Sequence, residues 1–126
     1  MLLQTKQIAK PKTVSIITQV RANFRYEYDL YIEAHSIINF HFDNKNLDGN
    51  DESIQREINI SYKSDIESLS SLIRTMAKST KFNSRGIIIG ISCSSGKRCS
   101  VGIANLLRLY TKDISIEILN LGVKDE

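Results

Sequence analysis

Only two cysteines occur in the chain, Cys93 and Cys99, and they lie six residues apart. That scarcity excludes a disulfide framework and predicts two reduced thiols, as in an intracellular protein. No Cys/His spacing resembles a zinc site, because the two histidines, His35 and His41, are far from the cysteines. No apolar run approaches the ~20 residues of a membrane helix. Met1-Leu2-Leu3 passes at once into polar and basic residues, so no secretory signal is read. A basic, acid-free start also suits an organelle transit peptide, but no arginine precedes Arg21. The expected location is therefore the cytoplasm, with a mitochondrion or other organelle as the alternative. Internal repeats and low-complexity segments are lacking. So is any aromatic ladder of the kind that stacks on single-stranded RNA. Tyr26, Tyr28, Tyr31, Phe40 and Phe42 are read as core and rim. The only proline, Pro11, falls in residues 1–12, which show no periodicity and are predicted to be a flexible basic arm.

What remains is one globular domain, residues 13–126, with enough chain for a single core. Apolar residues are 41% and charged residues 25%, the proportions of a globular protein. The net charge of +3 conceals three blocks. Residues 1–26 carry Lys6, Lys10, Lys12, Arg21 and Arg25 and no acid, for +5. Residues 27–67 carry ten acids and three bases, for −7, and residues 68–126 carry nine bases and four acids, for +5. If the chain ends fold together, the two basic blocks form one face suited to an anionic partner. Charge alone favours an ordinary solvated surface.

Hydrophobic patterning predicts strands at Val14–Val20, Tyr28–Ala34, Gly86–Ile91 and Ile114–Leu119. The third is apolar throughout and is expected at the centre of a sheet covered on both faces. Asp48-Gly-Asn-Asp51 signals a turn. Residues 53–62 read ambiguously, as a short helix running into an extended piece. Ser64-Asp-Ile-Glu67 has the form of a capping box, and Ile66, Leu69, Leu72, Ile73, Met76 and Ala77 share one helical face, so a helix is predicted over 65–80. A loop follows at Lys81–Arg85. A last helix, ending near Tyr110, turns Val101, Ile103, Ala104, Leu106, Leu107 and Tyr110 inward. Strand, helix, strand twice over predicts a small α/β domain with a mixed or partly parallel sheet flanked by helices.

The chemistry gathers at residues 92–100, the loop between the third strand and the last helix. Ligands of such sheets bind beyond the carboxyl ends of the strands. A helix start also offers unpaired N–H groups and a positive dipole end to an anion, phosphate above all. Two familiar devices fail on spacing. A Walker loop needs four residues between its glycines and a hydroxyl residue after the lysine. Here five residues separate Gly90 from Gly96, and Arg98 follows Lys97. A cysteine-phosphatase loop places arginine six residues after its nucleophile. Here that residue is Cys99, with Arg98 one place early. A helix start could still lower the pKa of Cys93 and make it a nucleophile. Equally, Cys93 is a small residue suited to packing at a strand end.

A third pattern fits better. Ser92-Cys93-Ser94-Ser95-Gly96-Lys97-Arg98-Cys99-Ser100-Val101 resembles the Gly-Cys-Thr-Gly-Gly-x-His-Arg-Ser-Val loop in the C-terminal domain of the RNase adapter family RapZ. Cys93, Gly96, Ser100 and Val101 match. Ser94 stands for threonine, Ser95 for glycine, Arg98 for histidine and Cys99 for arginine. A second patch, Glu33-Ala-His35-Ser-Ile-Ile-Asn39-Phe-His41-Phe-Asp43, resembles the family's Asp-Val-Arg-Phe-Leu-x-Asn-Pro-His-Trp-Asp segment. Asn39, His41 and Asp43 match, and Glu33 and His35 replace aspartate and arginine. The likeness spans roughly residues 14–119, without the family's kinase-like domain and basic tail.

The resemblance implies a non-enzymatic RNA-binding module, as in a ribonucleoprotein component or homo-oligomer, that needs no cofactor or metal. Carried over, Glu33, His41, Cys93, Ser94, Gly96 and Arg98 line a sugar-phosphate pocket, completed by Ser95, Lys97 and Ser100. RNA is expected on Lys6, Lys10, Lys12, Arg21, Arg25, Lys97 and Arg98. The alternatives are a sugar-phosphate-sensing regulatory domain, with glucosamine-6-phosphate as the family's ligand, and a cysteine-dependent phosphatase-like enzyme acting through Cys93. Without the family likeness, His41 and His35 read as ordinary hydrogen-bonded, half-buried histidines.

Overall fold

The computed structural model describes residues 9–21, 26–38 and 47–122. Strands β1 (Val14–Val20), β2 (Leu30–Glu33), β3 (Ile87–Cys93) and β4 (Ile116–Asn120) form one sheet in the order β2-β3-β1-β4. Every pairing is parallel, so the sheet is fully parallel rather than mixed. Helices α1 (Glu52–Met76), α2 (Thr80–Ser84) and α3 (Cys99–Tyr110) complete the α/β domain, and a 3-10 turn, Ala34–Ser36, follows β2. Strand β3 is central and buried along its whole length.

The helices cover one face of the sheet. Val14 and Ile16 of β1 and Ile87, Ile89, Ile91 and Cys93 of β3 share a core with Ile54, Ile58, Ile66 and Ile73 of α1, Phe82 of α2 and Ile103, Ala104, Leu106 and Leu107 of α3. The other face has a smaller cluster, Ile17, Ile88 and Tyr26, edged by Ala9, Tyr28 and Leu121. Among the described residues, the helices pack on the first face alone. Only nine residues, 21–29, separate β1 from β2. A crossover between parallel strands that includes a helix needs a dozen or more. The link thus lays tyrosines over the second face instead.

Several element boundaries differ from the sequence reading. The helix expected at 65 begins at Glu52 and is kinked at Tyr62 (φ −129°, ψ 27°). The Ser64–Glu67 signature lies just past that kink, so an apparent helix start is a joint between two helical segments. The 53–62 stretch is helical because Ile54 and Ile58 have the sheet to pack on. Leu72, assigned to the inward face, is 39% exposed. The helix stops at Met76, and Lys81–Arg85, read as a loop, largely falls in α2, whose N-cap Ser79 accepts the Phe82 N–H at 3.1 Å.

Residues 9–12, assigned to the flexible arm, are held against the body. Lys12 N–H donates to Phe82 O at 2.8 Å, and Lys10 Nζ pairs with Glu117 at 2.9 Å. The Asp48–Asp51 turn forms as expected, with Asn50 N–H donating to Asp48 Oδ1. It seats on α3: Gly49 N–H donates to Lys97 O at 2.7 Å, and Asn105 Nδ2 donates to Gly49 O at 3.0 Å.

Candidate anion site at the carboxyl edge

All four strands end at one edge of the sheet, and the loop from Ser94 to Arg98 rises there between β3 and α3. Gly96 permits its sharp course, with φ at +73° and Val20 packed where a side chain would stand. The loop closes around the sulfur of Cys93. Gly96 N–H donates to Cys93 Sγ at 3.2 Å and Ser100 N–H at 3.4 Å, while Ser95 Oγ lies 3.8 Å away. Ser100 Oγ is 3.2 Å from the sulfur; the thiol donates to it, and after proton loss the hydroxyl donates back. Burial raises the pKa of this thiol and is the largest single influence. Hydrogen bonds from the Ser100 hydroxyl and N–H, the Ser95 hydroxyl and Arg98 N–H together outweigh it, and the thiol sits below its ordinary value. Cys93 is nonetheless only 2% exposed.

Cys99, in the first turn of α3, behaves oppositely. Burial and then the neighbouring charge of Cys93 push its pKa up to about 11, against a smaller lowering by Arg98. Both cysteines are free thiols.

Around the loop stand side chains from two other strand ends. His35, on the turn after β2, accepts Ser94 N–H on Nε2 at 3.3 Å, with Ser94 Oγ 3.4 Å from the same atom. Arg21, just past β1, spans the end of β3 to pair with Glu33 on β2 (Nε–Oε1 3.3 Å), while its N–H donates to Cys93 O at 3.0 Å. Lys97 and Ser94 are exposed and Arg98 is half-buried. The first turn of α3 contains no acid.

The structure thus brings together Glu33, Cys93, Ser94, Ser95, Gly96, Lys97, Arg98 and Ser100, with Arg21 and His35 beside them. The N–H groups expected to face an outside anion are partly engaged within the loop: those of Gly96, Arg98 and Ser100 turn to sulfur, that of Ser94 to His35 and that of Lys97 to Ser95 Oγ. Outward contacts therefore fall to side chains. His41, Lys6 and Arg25 lie outside the described residues. The described basic residues do not share one face. Lys10 and Lys12 precede β1 at the amino edge, a strand's length, roughly 20 Å, from Arg21, Lys97 and Arg98.

Sequence reasoning missed the Arg21–Glu33 bridge and the contact of His35 with Ser94. Neither has a local signal, since the partners are joined only by strand order. An open groove of about 490 Å³, lined by Glu52, Gln55, Asn105, Arg108 and Lys112 among others, includes no residue of the loop. Among the described residues, no three His, Cys, Asp or Glu side chains converge to hold a metal ion, and no helix is long and apolar enough to cross a membrane. The chain matches no protein-family model and no curated protein.

Proposed function

We propose that the chain is a non-enzymatic RNA-binding module, of the kind found in ribonucleoproteins, that holds RNA phosphates at the carboxyl edge of its sheet. Lys97, Arg98 and Ser94 supply the loop contacts, and Arg21 the flanking charge. The observation carrying this reading is the exposed basic loop at the start of α3, where cationic side chains and the positive helix end act on the same point. The likeness of the loop to the RapZ C-terminal domain supports it. Fluorescence anisotropy with a labelled single-stranded RNA tests it. Binding at low salt should weaken log-linearly with added salt, by a slope near −0.7 per phosphate contact. Replacing both Lys97 and Arg98 with alanine should reduce the slope by roughly one to two. Absence of RNA binding at low salt would overturn the reading. Saturable binding of a sugar phosphate, without RNA binding, would move the assignment to metabolite sensing by the same loop.

A second reading, cysteine-dependent phosphatase chemistry, is favoured by one observation: the Cys93 sulfur lies where hydroxyl and N–H donors converge, which stabilises a thiolate. Such a reaction forms an S–P bond as the P–O bond breaks, the leaving alkoxide taking a proton from water; a second water then attacks phosphorus, breaking the S–P bond to release phosphate and restore the thiolate. Hydrolysis of an aryl phosphate, lost in Cys93→Ser, would establish it. An inert wild-type protein would remove it.

A further inference from the structure

The groove of about 490 Å³ lies between α1 and α3, apart from the loop, and has a floor of its own. Gly49 organises that floor. Its carbonyl accepts Gln55 Nε2 at 2.9 Å and Asn105 Nδ2 at 3.0 Å, and Asn105 Nδ2 also reaches Asn50 Oδ1 at 3.0 Å. Arg108 Nη2 donates to Asn105 Oδ1 at 3.1 Å. These bonds fix which way each amide points. Gln55 keeps an acceptor, Oε1, and Asn50 keeps a donor, Nδ2; among the described residues neither atom has a partner. The network is set before any ligand arrives, which lowers the ordering cost of binding.

Charges of both signs line the groove. Glu52, in the first turn of α1, is three residues from Gln55 and on the same side of that helix. Arg108, in the last turn of α3, and Lys112, just past its end, come from the other helix, with Leu109 beside them 52% exposed. Among the described residues, Glu52 and Lys112 take no hydrogen-bond or ion-pair partner, and the Arg108 guanidinium contacts Asn105 alone. Opposite charges thus share one groove with no ion pair joining them. A ligand that suits it carries anionic charge at one end and hydrogen-bond donors at the other.

We propose that this groove is a binding site for a guanylate, with the base read by Glu52 and the phosphate held by Arg108 and Lys112. Guanine presents two neighbouring donors, N1–H and N2–H, on its Watson–Crick edge, and one carboxylate accepts both. The second N2 hydrogen suits Gln55 Oε1, and the acceptors O6 and N7 suit Asn50 Nδ2. Adenine, cytosine and uracil each place an acceptor beside the donor of that edge, and a carboxylate is repelled by it. Leu109 offers the ring an apolar contact, and the two cations offer the phosphate its counter-charge. The zwitterion of a single amino acid would match the charges but leave most of the 490 Å³ empty. The site includes no residue of the loop and stands without the RNA reading: its guanylate is a free nucleotide or a guanosine residue of a single-stranded RNA.

The test titrates the whole chain with guanosine monophosphate and with adenosine monophosphate, followed by calorimetry and by backbone amide NMR. Guanosine monophosphate should bind about tenfold more tightly than adenosine monophosphate. It should shift the amides of residues 49–55 and 105–112 and leave those of the loop, 94–98, in place. Glu52→Gln keeps the side-chain volume and loses the paired acceptor, so the guanine nucleotide should fall to the level of the adenine one, itself unchanged. Arg108→Ala combined with Lys112→Ala should weaken both nucleotides alike, by roughly tenfold. All three side chains are exposed, and the urea midpoint of each variant should match the wild type. Equal affinity of the wild type for the two nucleotides would overturn the assignment to guanine. Shifts at the loop instead of the groove, or no binding of either nucleotide at millimolar concentration, would overturn the site. Binding of glutamate or a dipeptide in place of guanylate would overturn it too and assign the groove to a zwitterion. A uridine oligomer carrying one guanosine separates the two sources. Tighter binding than the free nucleotide, with the same groove amides shifted, assigns the guanylate to RNA; weaker binding assigns it to the free nucleotide.

Discussion

Cys93 and Cys99 are six residues apart, yet their surroundings push their protons in opposite directions. Cys93 is wrapped by donors that favour the thiolate; Cys99 is buried beside it and held neutral. Thiolate absorbance of a Cys99→Ala variant should show a single transition below the ordinary thiol range, and adding Ser100→Ala should raise it. A transition unmoved by Ser100→Ala would show that the hydroxyl does not stabilise the charge. For Cys99 the folded pKa, about 11, lies above the unfolded value of roughly 8.5. A raised acid contributes stability that is fully present below the unfolded value and lost as pH rises toward the folded one. Urea midpoints should therefore fall between about pH 8.5 and 11, and fall less in Cys99→Ala. Because the charge of Cys93 contributes to that elevation, Cys93→Ser should lower the Cys99 titration. A static thiol pair would show none of these dependences.

At the scale of elements, the start of α3 is fixed by a turn that arrives from more than forty residues earlier in the chain. A Cβ on Gly49 would stand 2.1 Å from Gly102 N and 2.5 Å from Arg98 O, backbone atoms that cannot rotate away. Gly49→Ala should cost about 3 kcal/mol or more, read as a reduced urea midpoint. A neutral effect would mean that the turn does not rest on the helix. The N-cap of α2 is a lesser fastening: Ser79→Ala removes the acceptor of Phe82 N–H and should cost about 1 kcal/mol in the same measurement. Long helix α1 was only half legible. The stretch before Tyr62 lacks a clean periodic signal, but Ile54 and Ile58 are buried in the core, and tertiary packing supplies the stability that local propensity does not.

The whole molecule is held by a core of unusual uniformity. Among the described residues, the largest fully buried side chains are all isoleucine but for Leu107; isoleucine has few rotamers to lose and a shape suited to pleated surfaces. Ile89, at the centre of β3 and fully buried, should cost about 3–4 kcal/mol on replacement by alanine. The sequence by itself determined the four strands, the inward face of α3, the α/β class and the place of the loop after the central strand. These follow from short-range patterns: apolar runs of β-branched residues, helical periodicity and small residues at a strand-to-helix turn. Only the tertiary structure decided that the pairing is fully parallel, that the helices lie on one face, and that Lys10 and Lys12 stand at the edge opposite Lys97 and Arg98. It also decided that the loop N–H groups turn inward to sulfur. Each depends on which strands become neighbours. Strand order joins residues distant along the chain, and no local pattern encodes it.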